Sequence, residues 1–308
     1  TFLYSGFVKL VDPIGSAYKF EEYFGADVLN LEFLIPYALP FSILLILTEI
    51  ILGVTLLIGY KPRTTAWALT WITTLFLFLT WYSAYYDKVT DCGCFGDALK
   101  LSTWETFYKN VILIVFVLFL LLKKGYINSI FSDKTLKGIT FLSLFTFLYI
   151  VYYVLVHLPI IDFRAYAIGK NIKEGMEFIE GSDELPPVHD FFLESEMEDL
   201  TEAVLTAEKS MLVVAYDLDK SDMEGFWALQ EVAQKAKDNG YLVYGLSASP
   251  TEDLLHLQKD LNLPFEFLFC DETTLKTIIR ANPGIVTLEK GTVVGKWSWA
   301  DVDKVFED

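Results

Sequence analysis

Apolar residues run in long uninterrupted stretches through the first half of the chain and in short bounded ones through the second. A helix needs about 20 mainly apolar residues to cross a bilayer. Four stretches meet that length: Leu39–Tyr60, Thr64–Tyr86, Thr106–Leu122 and Gly138–Leu158. Thr1–Val11 is apolar but too short to span, and it reads as the remainder of a truncated first helix. From Ser210 the pattern changes. MLVVAYD, LVYGLSAS and PFEFLFC are compact apolar strands, separated by helical spacing over Glu224–Asp238 and Pro250–Leu261. DETTLKTIIRAN adds a short helix, and PGIVTLE and TVVGKWS pair as a hairpin across Lys290-Gly291. The expected class is a multi-domain chain: an all-α transmembrane helical bundle followed by an α/β domain with helices on both faces of its sheet.

The expected divisions are a bundle over residues 1–160, a polar juxtamembrane connector over 161–185 and a globular domain over 186–308. Composition agrees, with 53% of the 308 residues hydrophobic. Residues 1–169 carry 12 basic and 12 acidic residues, whereas residues 170–308 carry 12 and 29, so the whole net charge of −17 lies in the second half. Such an acidic pole repels phosphate backbones and argues against nucleic-acid binding. Three cysteines are too few for a disulfide-dense scaffold.

Basic residues concentrate in alternate loops, which predicts orientation. Lys61, Arg63, Lys123, Lys124, Lys134 and Lys137 belong on the cytoplasmic side by this rule. The loops with Asp12, Glu21, Glu22, Asp27 and Glu32, and with Asp87, Asp91, Asp97 and Glu105, belong outside. The expected location is a bacterial inner (cytoplasmic) membrane, with the C-terminal domain in the periplasm.

The outer loop after the second span reads Asp91-Cys92-Gly93-Cys94-Phe95-Gly96-Asp97. Two thiols separated by one glycine can close a small ring that departs from relaxed disulfide geometry, and a strained, exposed disulfide is readily reduced. Three readings stand: redox exchange, a structural disulfide or buried thiols, and a metal site. The last lacks ligands, because a closed zinc site takes four and the further candidates are only His157, His189, His256 and Cys270. The segment DCGCFGDALKLSTWETFYKN, with YSGFVKLVDP and LGVTLLIGYKPR, resembles the MauE-type branch of the DoxX-like membrane proteins over roughly residues 1–125. That resemblance implies a small helical bundle associated with thiol redox or with disulfide formation in exported partners. MauE itself is linked to maturation of methylamine dehydrogenase; nothing in this sequence points to methylamine.

Glu49 interrupts LPFSILLILTEIILGVTLLIGY near mid-helix, where a carboxylate costs a few kcal/mol unless paired or protonated. It reads as a proton acceptor coupled to thiol or quinone chemistry, or as a neutral acid bonded to a neighbouring Thr or Tyr such as Thr48 or Thr55. Trp67, Trp71, Trp81, Tyr82, Tyr85 and Tyr86 leave room for a quinone, although interface aromatics more often form a belt.

The order of elements over about residues 186–308 resembles the thioredoxin fold of the TlpA-like and redoxin group. PPVHDFFLES resembles its leading strand, and Pro283, after Asn282, its cis-proline position. Where that resemblance calls for Cys-X-X-Cys, the chain reads Asp217-Leu-Asp-Lys-Ser-Asp-Met-Glu-Gly, so this domain is expected not to perform dithiol exchange. Asp217, Asp219, Asp222 and Glu224 have the oxygen chemistry for a hard cation, but they do not follow EF-hand spacing, and acids at a helix start are expected as caps. No metal site is expected. Cys270 reads as a buried thiol and His189 and His256 as surface residues; Asp162 and Arg164 could pair or bind headgroups, and read more readily as plain solvated surface.

Together these readings predict a membrane thiol–disulfide component in which Cys92 and Cys94 carry electrons and Glu49 assists proton movement. The α/β domain would dock a periplasmic or membrane protein. The alternative is a non-enzymatic membrane scaffold whose cysteine loop is structural. No paired broken helices or inverted repeat suggest a transporter.

Overall fold

The computed structural model describes residues 1–89, 96–99, 101–129, 131–178, 185–195 and 197–307. Two compact units divide the chain at Leu155 and Val156.

The first unit is helical. Helix α1 (Phe2–Val11) stops at Asp12, whose carboxylate accepts the amide of Gly15 and so starts α2 (Pro13–Phe24) with Pro13 at its first position. Part of the region read as an acidic outer loop is therefore helix, and Glu21 and Glu22 lie within α2. After a 3-10 turn (Glu32–Tyr37) come α3 (Ala38–Ile58), α4 (Pro62–Tyr86), α5 (Thr103–Lys123) and α6 (Asp133–Val156). Among the described residues, four helices are long and apolar enough to cross a membrane. Each matches one expected span with its ends shifted.

Burial in this unit is inverted relative to a water-soluble protein. Trp71, Phe116, Leu122 and Leu142 are exposed, whereas Ser42, Thr73, Thr80, Ser83 and Asn110 are buried. Hydrocarbon solvates leucine as well as a protein core does, so the interior is left for small and polar side chains that bond between helices. Asn110 donates to Thr80 Oγ1 at 3.2 Å, and the hydroxyls of Tyr23 and Ser83 lie 3.1 Å apart. Helices α1 and α3 meet through small residues. A Cβ on Gly6 would lie 3.0 Å from Ile50 Cβ, and one on Gly53 would lie 2.8 Å from the Leu3 side chain. The α4 start and the α5 end come together, since Lys124 lies over the Trp67 ring.

The second unit is built on a five-stranded sheet: β1 (Ser210–Val214), β2 (Leu242–Ser247), β3 (Phe267–Phe269), β4 (Gly284–Glu289) and β5 (Thr292–Ser298). Their order is β3-β2-β1-β4-β5, with β1, β2 and β3 parallel and β4 and β5 antiparallel to their neighbours. The hairpin turns on Lys290 and Gly291, both at positive φ, as a two-residue turn that follows strand twist requires. Helices α7 (Ile172–Gly175) and α8 (Thr201–Thr206) precede the sheet. Helices α9 (Met223–Asp238), α10 (Thr251–Asp260) and α11 (Glu272–Ile278) fill its crossovers, and a 3-10 segment (Trp299–Phe306) ends the fold.

Alternation along the strands makes two cores. Met211, Val213 and Ile285 join Phe226 and Leu229 of α9 on one face. Leu212, Val214, Val286 and Leu288 join Leu275 of α11 on the other. The second core also takes in Tyr166 and Ile172, from the stretch read as a polar connector. That stretch continues onto the outer edge of β5. The Gly169 amide donates to the Val293 carbonyl at 2.7 Å, the Val293 amide to Lys170 at 2.9 Å, and the Ile172 amide to Gly291 at 2.9 Å. At the opposite edge Glu194 and Phe269 exchange both of their backbone hydrogen bonds.

Candidate functional site

In the second unit, the β1–α9 connection and the approach to β4 meet at one end of the sheet. The Asn282–Pro283 peptide is cis, as the resemblance implied for that position. Asn282 Nδ2 donates to the Asp217 carbonyl at 2.7 Å, and the Asp222 amide donates to the Asn282 carbonyl at 3.1 Å. The Ser221 hydroxyl lies 2.8 Å from the Asp217 carbonyl and 3.0 Å from Asn282 Oδ1, and its single hydrogen serves one of them at a time. Gly225 lets the first turn of α9 close onto this element, because a Cβ there would lie 2.9 Å from Trp299 and 3.0 Å from Pro283. Met223 and Trp227 of α9 are exposed. Strand order, cis-proline and helix placement are those of a thioredoxin-like fold.

The side chains of the β1–α9 connection and of Asn282–Pro283 include no thiol. Asp217 accepts the Asp219 amide and pairs with Lys220 at 2.7 Å. Partial burial would raise its carboxyl pKa, but the hydrogen bond and charge of Lys220 outweigh this and hold it below the ordinary value. Asp222 caps α9 by accepting the Glu224 amide at 3.0 Å. These acids are engaged in local backbone and lysine contacts, and no His, Cys, Asp and Glu grouping among the described residues has the arrangement of a metal site. Cys270 is fully buried at the end of β3; burial first, and then the charge of Asp271, push its thiol up to about 12. At neutral pH it supplies almost no thiolate. His189 sits beside Asp190, and His157 Nδ1 lies 2.7 Å from Asp301 Oδ2.

In the first unit, Cys92 and Cys94 lie outside the described residues. Their described flanks are packed: Val89 is buried, and Gly96, which opens a single 3-10 turn, rests against Val8 of α1. Downstream, Ser102 and Glu105 form a reciprocal capping box that begins α5. Glu49 is buried in α3, where its Oε2 accepts from Lys9 Nζ of α1 at 2.8 Å, with both side chains at most 5% exposed. The Lys9 ammonium also stands over the Phe76 ring, 5.1 Å from its centre. The expectation of a Thr or Tyr partner for Glu49 is corrected on this point. Thr48 and Thr55 instead bond backbone carbonyls of their own helix, as hydroxyls within helices readily do. Lys9, which the sequence reading passed over, is the missing member. Its signal was a lone cation inside the apolar run YSGFVKLV.

The aromatic residues considered for a quinone do not converge. Trp81, Tyr82, Tyr85 and Tyr86 cluster at the end of α4 with ring centres 4.8 to 6.4 Å apart. Trp67 and Trp71 are exposed more than two helical turns away, toward the start of the same helix.

Of the two readings of Asp162 and Arg164, the pairing one holds and the solvated-surface one is corrected. Arg164 grips Asp162 with two bonds, Nε to Oδ1 at 2.7 Å and a terminal nitrogen to Oδ2 at 2.9 Å, and donates to the Thr277 carbonyl. Lys296 of β5 donates to the same Asp162 Oδ2 at 2.7 Å and to the Tyr166 carbonyl at 3.2 Å. Burial opposes ionisation of Asp162, but Arg164 and Lys296 prevail and bring it down to about 2.

Residues 1–123 match the family described as methylamine utilisation protein MauE. The helical region up to the end of α5 is thus similar to MauE. With its four apolar helices, the chain is a multi-pass membrane protein that joins this MauE-like region to a thioredoxin-like domain. The crystal structure of yeast Sco1 is similar to 38% of this chain and 89% of that one, with 14% identity and a TM-score of 0.28. No curated protein matches the chain.

Proposed function

We propose that this protein is a thiol–disulfide redox component of a bacterial inner membrane, acting through Cys92 and Cys94 on the periplasmic face. The observation that carries the reading is the pairing of a MauE-like region containing the Cys-Gly-Cys loop with a thioredoxin-like domain whose own redox position holds Asp217 to Gly225 and no cysteine. The domain's remaining thiol, Cys270, is buried and held protonated. Redox chemistry is thereby assigned to the loop and docking to the domain. The exposed Met223 and Trp227 of α9 supply an apolar contact for a protein client.

In the step proposed, a client dithiol gives two electrons and two protons to the Cys92–Cys94 disulfide. The client becomes a disulfide and the loop a dithiol. A membrane quinone, as electron acceptor, takes the two electrons and two protons and returns the loop to its disulfide, leaving quinol. Glu49 serves as an intramembrane proton acceptor in that return.

The deciding measurement is the reduction potential of the Cys92–Cys94 pair in the full-length protein, read by differential alkylation and mass spectrometry. A reversible two-electron transition between roughly −120 and −270 mV is expected, the range of thiol oxidoreductases. Cys92→Ser or Cys94→Ser then abolishes reversible cycling. A pair oxidised down to below about −300 mV, or one that never oxidises, overturns the redox reading. Either result favours the second reading, a membrane scaffold, which the thiol-free thioredoxin-like end supports.

A further inference from the structure

We propose that Lys296, with Asp162, Arg164 and Arg280, forms a pH-sensitive pin that fastens residues 158–170 to β5 and loosens as the medium becomes acidic. The inference concerns the second unit alone and is independent of the cysteine chemistry.

Two cations, Arg164 and Lys296, share the single carboxylate of Asp162, and their side chains are 3% and 4% exposed. Arg280, itself buried on the α11–β4 connection and donating to the Lys276 carbonyl, adds a smaller positive influence on Lys296. The remaining contact of the Lys296 ammonium is the neutral Tyr166 carbonyl. Water is too scarce here to spread the excess positive charge, so relief comes from losing a proton. Arginine does not deprotonate in proteins, which leaves Lys296 as the group able to give one up.

The charged groups acting on Lys296 divide unequally. Burial is the largest effect and lowers its pKa, Arg164 and Arg280 lower it further, and Asp162 opposes them; the result falls from the usual lysine range to about 7. Asp162, near 2, stays ionised throughout the neutral range.

The sign follows from proton counting. When residues 158–170 come away, Lys296 meets water and regains its ordinary affinity for a proton. The open form therefore binds more protons than the closed form between about pH 7 and the ordinary lysine pKa. Raising the pH favours the closed form over that window, and below it the dependence flattens. Because this stretch contributes Tyr166 to the core and Gly169 and Lys170 to the edge of β5, opening would uncover both.

The test is amide hydrogen exchange of residues 158–172 in the full-length protein in lipid nanodiscs, corrected for intrinsic exchange at each pH. The expected result is that the opening equilibrium falls about tenfold between about pH 6 and about pH 8, and roughly tenfold more by about pH 9. In Lys296→Met the dependence disappears, whereas Lys296→Arg stays at the acid level of opening at every pH. A flat wild-type profile overturns the proposal without recourse to any variant. So does a slope that survives unchanged in Lys296→Met.

Discussion

Each unit buries an ionic group, and the two are balanced differently. In the helical unit one ammonium meets one carboxylate, Lys9 to Glu49, between two helices. In the α/β unit two cations, Arg164 and Lys296, divide one carboxylate. Among the described residues the first is a matched pair, most sensitive to the removal of either partner. An unmatched cluster sits closer to proton loss and can respond to pH without any change of partner. Burying charge thus has two outcomes here: a pair whose members hold each other in place, and a cluster poised to lose a proton.

The most disruptive way to probe this comparison is to unmatch the matched pair. Lys9→Met leaves the Glu49 carboxylate among α1, α3 and the Phe76 ring, and should cost about 3–5 kcal/mol, as breaking buried ion pairs does. Lys9→Met with Glu49→Leu should recover most of that loss, because a well-packed apolar pair replaces both charges. Thermal unfolding in nanodiscs measures both variants. A double variant no more stable than the single one would show that the pair does more than hold two helices together.

The reverse manipulation makes the unmatched cluster worse. Asp162→Asn leaves Arg164 and Lys296 facing one another without a carboxylate. A loss of about 3 kcal/mol is expected, of the kind seen when one partner of a buried pair is removed. Combining it with Lys296→Met should restore part of the loss, and non-additivity of the two changes would measure their coupling.

A smaller effect is expected away from both charges. Gly225→Ala pushes a methyl group against Trp299 and Pro283, and overpacking of this kind costs about 1–3 kcal/mol. This change should destabilise the thioredoxin-like domain in denaturant unfolding without moving the Cys92–Cys94 potential. A shifted potential would mean that the domain takes part in the thiol chemistry.

What could be read from the sequence is what local physics controls. The 20-residue apolar runs located four helices, and the alternation of short apolar strands with helical spacing located the sheet and its hairpin. The thiol-free loop from Asp217 to Gly225 was visible as plain sequence. Charge partners were not. Lys9 and Glu49 are 40 positions apart, and Asp162 and Lys296 are 134 apart, so no spacing rule links them. Asp162 and Arg164 look like ordinary surface residues until Lys296, in a strand that otherwise reads as half-buried, is set beneath them. The connector reading failed for the same reason. Residues 161–172 are polar and rich in turns, yet their few large side chains, Tyr166 and Ile172, found places in a core assembled from far along the chain.

The closure of β5 by Gly169, Lys170 and Ile172 limits how a client can be recognised. An open sheet edge invites an extended peptide to add itself as another strand, whatever its side chains, because backbone groups supply the attraction. Here the chain's own segment occupies that edge, and Glu194 occupies the Phe269 end of the opposite one. A client of the kind proposed would then have to be read through side chains and shape, because strand addition at these edges is already taken by the chain itself.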